Sequence, residues 1–163
     1  MGRSSLPRCS AGDTFTLSLG IDPAIKVAYP KPDVKRSTTG VFTKGDSSVY
    51  TRTITIVNSR AAAGTKPVNI TVLDQVPVSE DEKLRIDVSY PRGLTVGGQG
   101  VATGIVGKEG SATGGATDWG KAVAVLKKAG EVSWDVQLVA GRSVKLMLQY
   151  DVMCPSGERV AQV

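Results

Sequence analysis

Between Val132 and Val152 the side chains change character at nearly every residue, and no other feature limits the possible fold as strongly. In Val132-Ser133-Trp134-Asp135-Val136-Gln137-Leu138 the apolar residues fall at every second position. A strand turns successive side chains to opposite faces, so one buried face produces a period of two. Ala140-Gly141-Arg142-Ser143 then supplies turn chemistry, and Val144, Leu146, Leu148, Tyr150 and Val152 resume the alternation against Lys145, Gln149 and Asp151. Two such segments joined by a short glycine-containing loop predict a β-hairpin, which Pro155-Ser156-Gly157 ends. Trp134 shares the parity of the inward residues and reads as core.

The same period places Phe15, Leu17 and Leu19 on a first strand and Ile25-Lys26-Val27 on a second. Val49 to Val57 is rich in Thr, Ile and Tyr, which suit a pleated, half-buried surface. Val68, Ile70 and Val72 make one more strand, the Val76-Pro77 step makes a corner, and Leu84, Ile86, Val88 and Tyr90 alternate until Pro91. Tyr50, Tyr90 and Tyr150 fall on inward faces, where their hydroxyls need acceptors at a sheet margin. A helix would need apolar residues three and four apart over about ten positions, and no segment has them. About seven short strands predict an all-β, antiparallel β-sandwich of the immunoglobulin or fibronectin-III type.

At 163 residues the chain suits one domain with a true core, expected over residues 14–157, with flexible termini at 1–13 and 158–163. Two stretches lack the alternation and read as long loops. Residues 29–48 carry Pro30, Pro32, Gly40 and Gly45, with a short extended piece at Val41-Phe42, and residues 92–120 are dense in Gly, Ala and Thr. Trp119 closes the second loop and is the aromatic placed to stack on a sugar ring or a partner surface.

Composition removes several functions. The chain has no histidine, so nucleophile systems that use histidine as base cannot form within it. Cys9 and Cys154 are the only cysteines, too few for a Cys and His zinc cage, and they pair only if the terminal strands meet. The net charge of +5 is spread singly, and aromatics are 5% of residues, against a basic stripe that binds nucleic acid. No apolar run has the length of a membrane span or of a signal-peptide core. The expectation is a soluble, cytoplasmic protein without membrane or nucleic-acid partners.

Gly115-Ala116-Thr117-Asp118-Trp119-Gly120-Lys121 has the spacing of a phosphate loop up to its lysine, but Ala122 replaces the magnesium-ligating hydroxyl and β-patterned sequence follows. Lys121 stays a binding candidate beside Trp119. Glu80-Asp81-Glu82 with Asp74 nearby reads as a solvated acidic turn, although hard cations do take such oxygen ligands. No metal, cofactor or catalytic residue is predicted. Asn69-Ile70-Thr71 fits the glycosylation pattern by chance within a strand.

Leu17-Ser18-Leu19-Gly20-Ile21-Asp22-Pro23, the Tyr50 to Ser59 run, the Asp74-Gln75-Val76-Pro77-Val78-Ser79 corner and the Trp134 hairpin occur in register over nearly the whole chain. In these motifs the sequence resembles the domain of unknown function of mucoidy-inhibitor-A-like proteins, a family of bacteria and fungi. The resemblance implies a β-rich domain and no catalytic residues. It also implies that a further N-terminal domain and a coiled-coil segment usually come before this region, so the chain reads as a short member or as the C-terminal piece of a larger protein.

The expected function is a non-catalytic β-sandwich module that binds a protein partner or a second copy of itself through strand edges. The alternative is a carbohydrate-binding module or lectin that takes a glycan on Trp119.

Overall fold

The computed structural model of the chain describes residues 10–12, 14, 20–39, 45–61, 66–81, 83–105 and 118–155. In chain order the strands are β1 (Ile25–Ala28), β2 (Asp33–Thr39), β3 (Gly45–Asn58), β4 (Val68–Gln75), β5 (Arg85–Tyr90), β6 (Val101–Thr103), β7 (Gly120–Leu126), β8 (Glu131–Leu138) and β9 (Ser143–Pro155). They form two antiparallel sheets. One sheet runs β1-β3-β9-β5, with β2 also paired to β3, and the other runs β4-β8-β7-β6.

The long β3 and β9 pair along thirteen registered positions from Gly45↔Pro155 to Val57↔Ser143 and make the spine of the first sheet. One edge of β3 is shared: β1 pairs with its C-terminal end, Ile25↔Asn58 to Ala28↔Thr55, and β2 with its N-terminal end, Asp33↔Thr51 to Thr39↔Gly45. In the second sheet β8 is central, pairing Val68↔Leu138 with β4 and Gly120↔Leu138 with β7.

Period-two burial decides what meets between the sheets. Ile54, Ile56, Val144, Leu146 and Leu148 from the first sheet pack on Ala122, Ala124, Leu126, Val132, Trp134, Val136 and Leu138 from the second. The expected hairpin is β8–β9, but its strands lie in different sheets, so the turn at Val139 to Arg142 crosses the sandwich. Asn58, fully buried, ties the layers there: its Nδ2 donates to the Leu138 carbonyl at 3.2 Å and its Oδ1 accepts from the Arg60 N–H at 3.2 Å. The Val76-Pro77 corner also changes sheets, from β4 to β5, and Val76 N–H is held by the Gly130 carbonyl at 2.8 Å. Gly130 has φ 79°, and a Cβ there would lie 2.2 Å from the Val76 carbonyl oxygen, so a side chain is excluded.

Both expected long loops contain strands. β2 and the start of β3 lie within residues 29–48, and β6 and the first residue of β7 within 92–120. β2 escaped the period test because Asp33, Val34, Lys35 and Arg36 are all exposed, so neither face selects apolar residues. The expected strand at Phe15 to Leu19, the Val41-Phe42 piece, both terminal segments apart from residues 10–12, and Cys9 with its pairing to Cys154 lie outside the described residues. Cys154 sits half-buried on β9, its sulfur 3.7 Å from the Asp46 carbonyl oxygen.

Candidate functional site

The two sheets leave one flank of the sandwich open, between β1 and β4. Both are terminal strands of their sheets among the described residues. Ile25, Val27, Val68 and Ile70 line a groove of about 510 Å³ between them, joined by Ile21 and Asn69. Ile21 is 95% exposed and Val27 53%, so this core margin faces solvent.

Ionic contacts close both ends of the flank. At one end Asp22 accepts a hydrogen bond from Arg60 Nη2, and the Asp22 carboxylate also accepts from the Ala24 N–H at 3.0 Å. The Ala24 bond, with the Arg60 charge adding to it, holds the Asp22 carboxyl below its usual range.

At the other end Arg52 of β3 reaches Asp74 of β4, Nη1 to Oδ1 at 2.5 Å, with the Asp74 side chain only 2% exposed. Tyr29, just past β1, covers the pair. Its ring lies 4.6 Å from the Arg52 guanidinium carbon, its hydroxyl donates to Asp74 Oδ1 at 2.7 Å, and the same hydroxyl accepts from Arg52 Nη1. Burial, and then the bond to the Asp74 carboxylate, raise the Tyr29 phenol above its usual range. Behind the clasp Tyr50 and Tyr150 stack with ring centroids 5.1 Å apart, and burial raises the Tyr150 phenol as well. This group was legible in one respect: Arg52 shares the parity of Ile54 and Ile56, and Asp74 that of Val72 and Val76, so each strand places a charge on its inward face.

Trp119 is not an exposed platform. It is 3% exposed and part of the core, and a Cβ on Gly104 would lie 2.7 Å from its ring. Gly120 is the reason. Its φ of 124° resets the alternation at the start of β7, turning Trp119 inward while Lys121 points out. Lys121 therefore parts from Trp119 and lies on the outer face of the second sheet, in a depression of about 500 Å³ with Asn69, Asp135 and Gln137, where Thr71 Oγ1 donates to Asp135 Oδ1 at 3.0 Å. Of the phosphate-loop spacing, residues 115–117 lie outside the described residues, and Gly120 and Lys121 belong to a strand. Asp81 accepts from the Lys83 N–H at 2.9 Å within an exposed turn, and Asp74 is turned away from it into the sandwich.

Among the described residues no helix is long and apolar enough to cross a membrane. No solved structure matches the chain. Protein F37C4.5 of Caenorhabditis elegans is 24% identical over 146 residues, which cover 90% of this chain and 22% of that protein. The chain thus spans about a fifth of the length of this curated relative. The family model described as a domain of unknown function, DUF4139, matches residues 1–156, and the chain belongs to that family.

Proposed function

We propose that this domain is a non-catalytic protein-association module that accepts an extended segment along its open flank, and that its relatives include the mucoidy-inhibitor-A-like proteins whose motifs it shares. The observation that carries the reading is the apolar groove bounded by β1 and β4, with Ile21 and Val27 exposed beside two strands that have no neighbour on that side among the described residues. Main-chain groups along such edges supply hydrogen bonds to an added strand, and alternate pockets read its side chains. The lack of histidine supports the absence of catalysis. So does the use of Asp74, which is taken up by Arg52 and Tyr29.

The experiment is affinity capture from the native source with wild type and an Ile21→Ser, Val27→Ser double variant, followed by hydrogen exchange on the captured complex. Capture lost in the variant, with new protection along β1 and β4, supports the reading. Equal capture by both proteins, with the flank unprotected, refutes it. Glycan recognition through Trp119 loses its basis with that ring enclosed in the core.

A further inference from the structure

We infer that the edge of β4 left without a strand neighbour among the described residues pairs with β4 of a second copy of the chain, antiparallel about a two-fold axis at Thr71. The inference rests on the association reading above and names its partner.

The terminal strands differ in how they discourage pairing. Natural sheet edges are protected by charge, proline or shortness. Lys26 lies on β1, Lys35 and Arg36 on β2, and Arg85 and Asp87 on β5, while β6 has three residues. β4 has eight residues, and Val68-Asn69-Ile70-Thr71-Val72-Leu73 contains no charge, no proline and no glycine. Its one acidic side chain, Asp74, is turned inward and paired with Arg52. An uncharged, β-branched edge of this length is a template for another strand.

The same strand also complements itself. With Thr71 on the axis, Thr71 opposes the partner's Thr71, Ile70 opposes the partner's Val72, and Asn69 opposes the partner's Leu73. Threonine pairs and β-branched pairs are favourable directly opposite one another, and no like charges are brought together. The contact is isologous, and it joins two four-stranded sheets into one continuous sheet. With Thr71 on the axis the seam runs from Val68 to Asp74, seven residues and about 24 Å at roughly 3.4 Å per residue. In this register the groove end of each β4, at Val68 and Ile70, lies opposite the Asp74 and Val72 end of the other copy.

The test is analytical ultracentrifugation of the full chain over a concentration series. Wild type is expected to shift from monomer to dimer as concentration rises. An Asn69→Lys, Leu73→Lys variant, altered only at exposed positions on the outer face, sets like charges opposite one another on both sides of the axis and is expected to stay monomeric, with the melting temperature that wild type has at dilutions where it too is a monomer. A second arm needs no charge. In a Cys9→Ala, Cys154→Ala background, Thr71→Cys is expected to form an intermolecular disulfide under mild oxidation, whereas Lys35→Cys on β2 is not.

Wild type that remains a monomer at every concentration overturns the inference. So does a dimer that survives both lysines with no Thr71→Cys cross-link. A monomer whose flank is still protected by a captured partner overturns the second copy while the association reading stands, and an unprotected flank removes both.

Discussion

Arg52 and Asp74 meet between the two sheets, Nη1 2.5 Å from Oδ1, at positions whose neighbours along each strand belong to the core. Desolvation opposes such a pair as strongly as attraction favours it, so its worth shows only when it is broken. Asp74→Ala is expected to destabilise the fold by about 3–5 kcal/mol, because the guanidinium then stays buried without its counter-charge. Arg52→Met with Asp74→Leu is expected to recover most of that loss. Urea midpoints of Asp74→Ala measure the first effect, and those of Arg52→Met, of Asp74→Leu and of the double variant, treated as a cycle, measure the second.

Trp119→Ala is expected to cost about 3–5 kcal/mol by opening a cavity in the core. Gly104→Ala is expected to destabilise by the reverse route: at φ 118° a side chain is strained, and its Cβ would press on the Trp119 ring at 2.7 Å. Thermal melts followed by tryptophan fluorescence check the pair, since both changes disturb an enclosed indole.

The sequence announced strands where one face is buried and the other wet. β4, β8 and β9 follow that rule, and the corner at Val76-Pro77 and the enclosed Trp134 were readable for the same reason. β7 hid itself. Ala122 and Ala124 point inward while Val123 and Val125 are half-buried on the outer face, so Lys-Ala-Val-Ala-Val-Leu shows no alternation in hydrophobicity. Trp119 was misplaced because the glycine-dense stretch before it reads as loop, whereas the residue sits at the mouth of β7 and, with Gly120 at positive φ behind it, turns into the core. The open flank is a property of which strands come to lie at sheet edges. That order joins segments as distant as Ile25 and Val68, beyond the reach of local patterning.

Alkaline titration reports on the clasp. Burial and the bond to Asp74 raise the Tyr29 phenol in the folded chain above its usual value of 10.0, so the folded state holds its proton more firmly than the unfolded state does. That preference stabilises the fold fully below the ordinary phenol range, and it is lost as pH rises through the folded-state value. Tyr150, raised by burial, adds to the same loss. Stability is therefore expected to be level near neutrality and to fall above about pH 10, with the fall shallower in Tyr29→Phe. Urea unfolding at stepped alkaline pH measures the slope, and identical slopes in the two proteins would exclude Tyr29 as the source.

Asn58 offers the sharpest check on how the layers are joined. Its amide leaves β3, crosses to the second sheet and donates to the Leu138 carbonyl, while its Oδ1 holds the Arg60 N–H and its own backbone pairs with Arg142 and Gly141. Substitution by alanine removes the side-chain bonds but leaves the backbone ones, so the Leu138 carbonyl loses its amide donor and the Arg60 N–H its acceptor. Leaving such a group unsatisfied costs about 1–3 kcal/mol. Asn58→Ala is expected to lose that amount, and Asn58→Asp more, because a carboxylate cannot donate to the Leu138 oxygen and would be buried with its charge. The loss in Asn58→Asp is expected to shrink as the solution is acidified and the carboxyl regains a proton to donate. Denaturant midpoints of the two variants across acidic pH, each referred to wild type at the same pH, give the difference directly, and a gap that does not change with pH would place residue 58 outside the sealed interior.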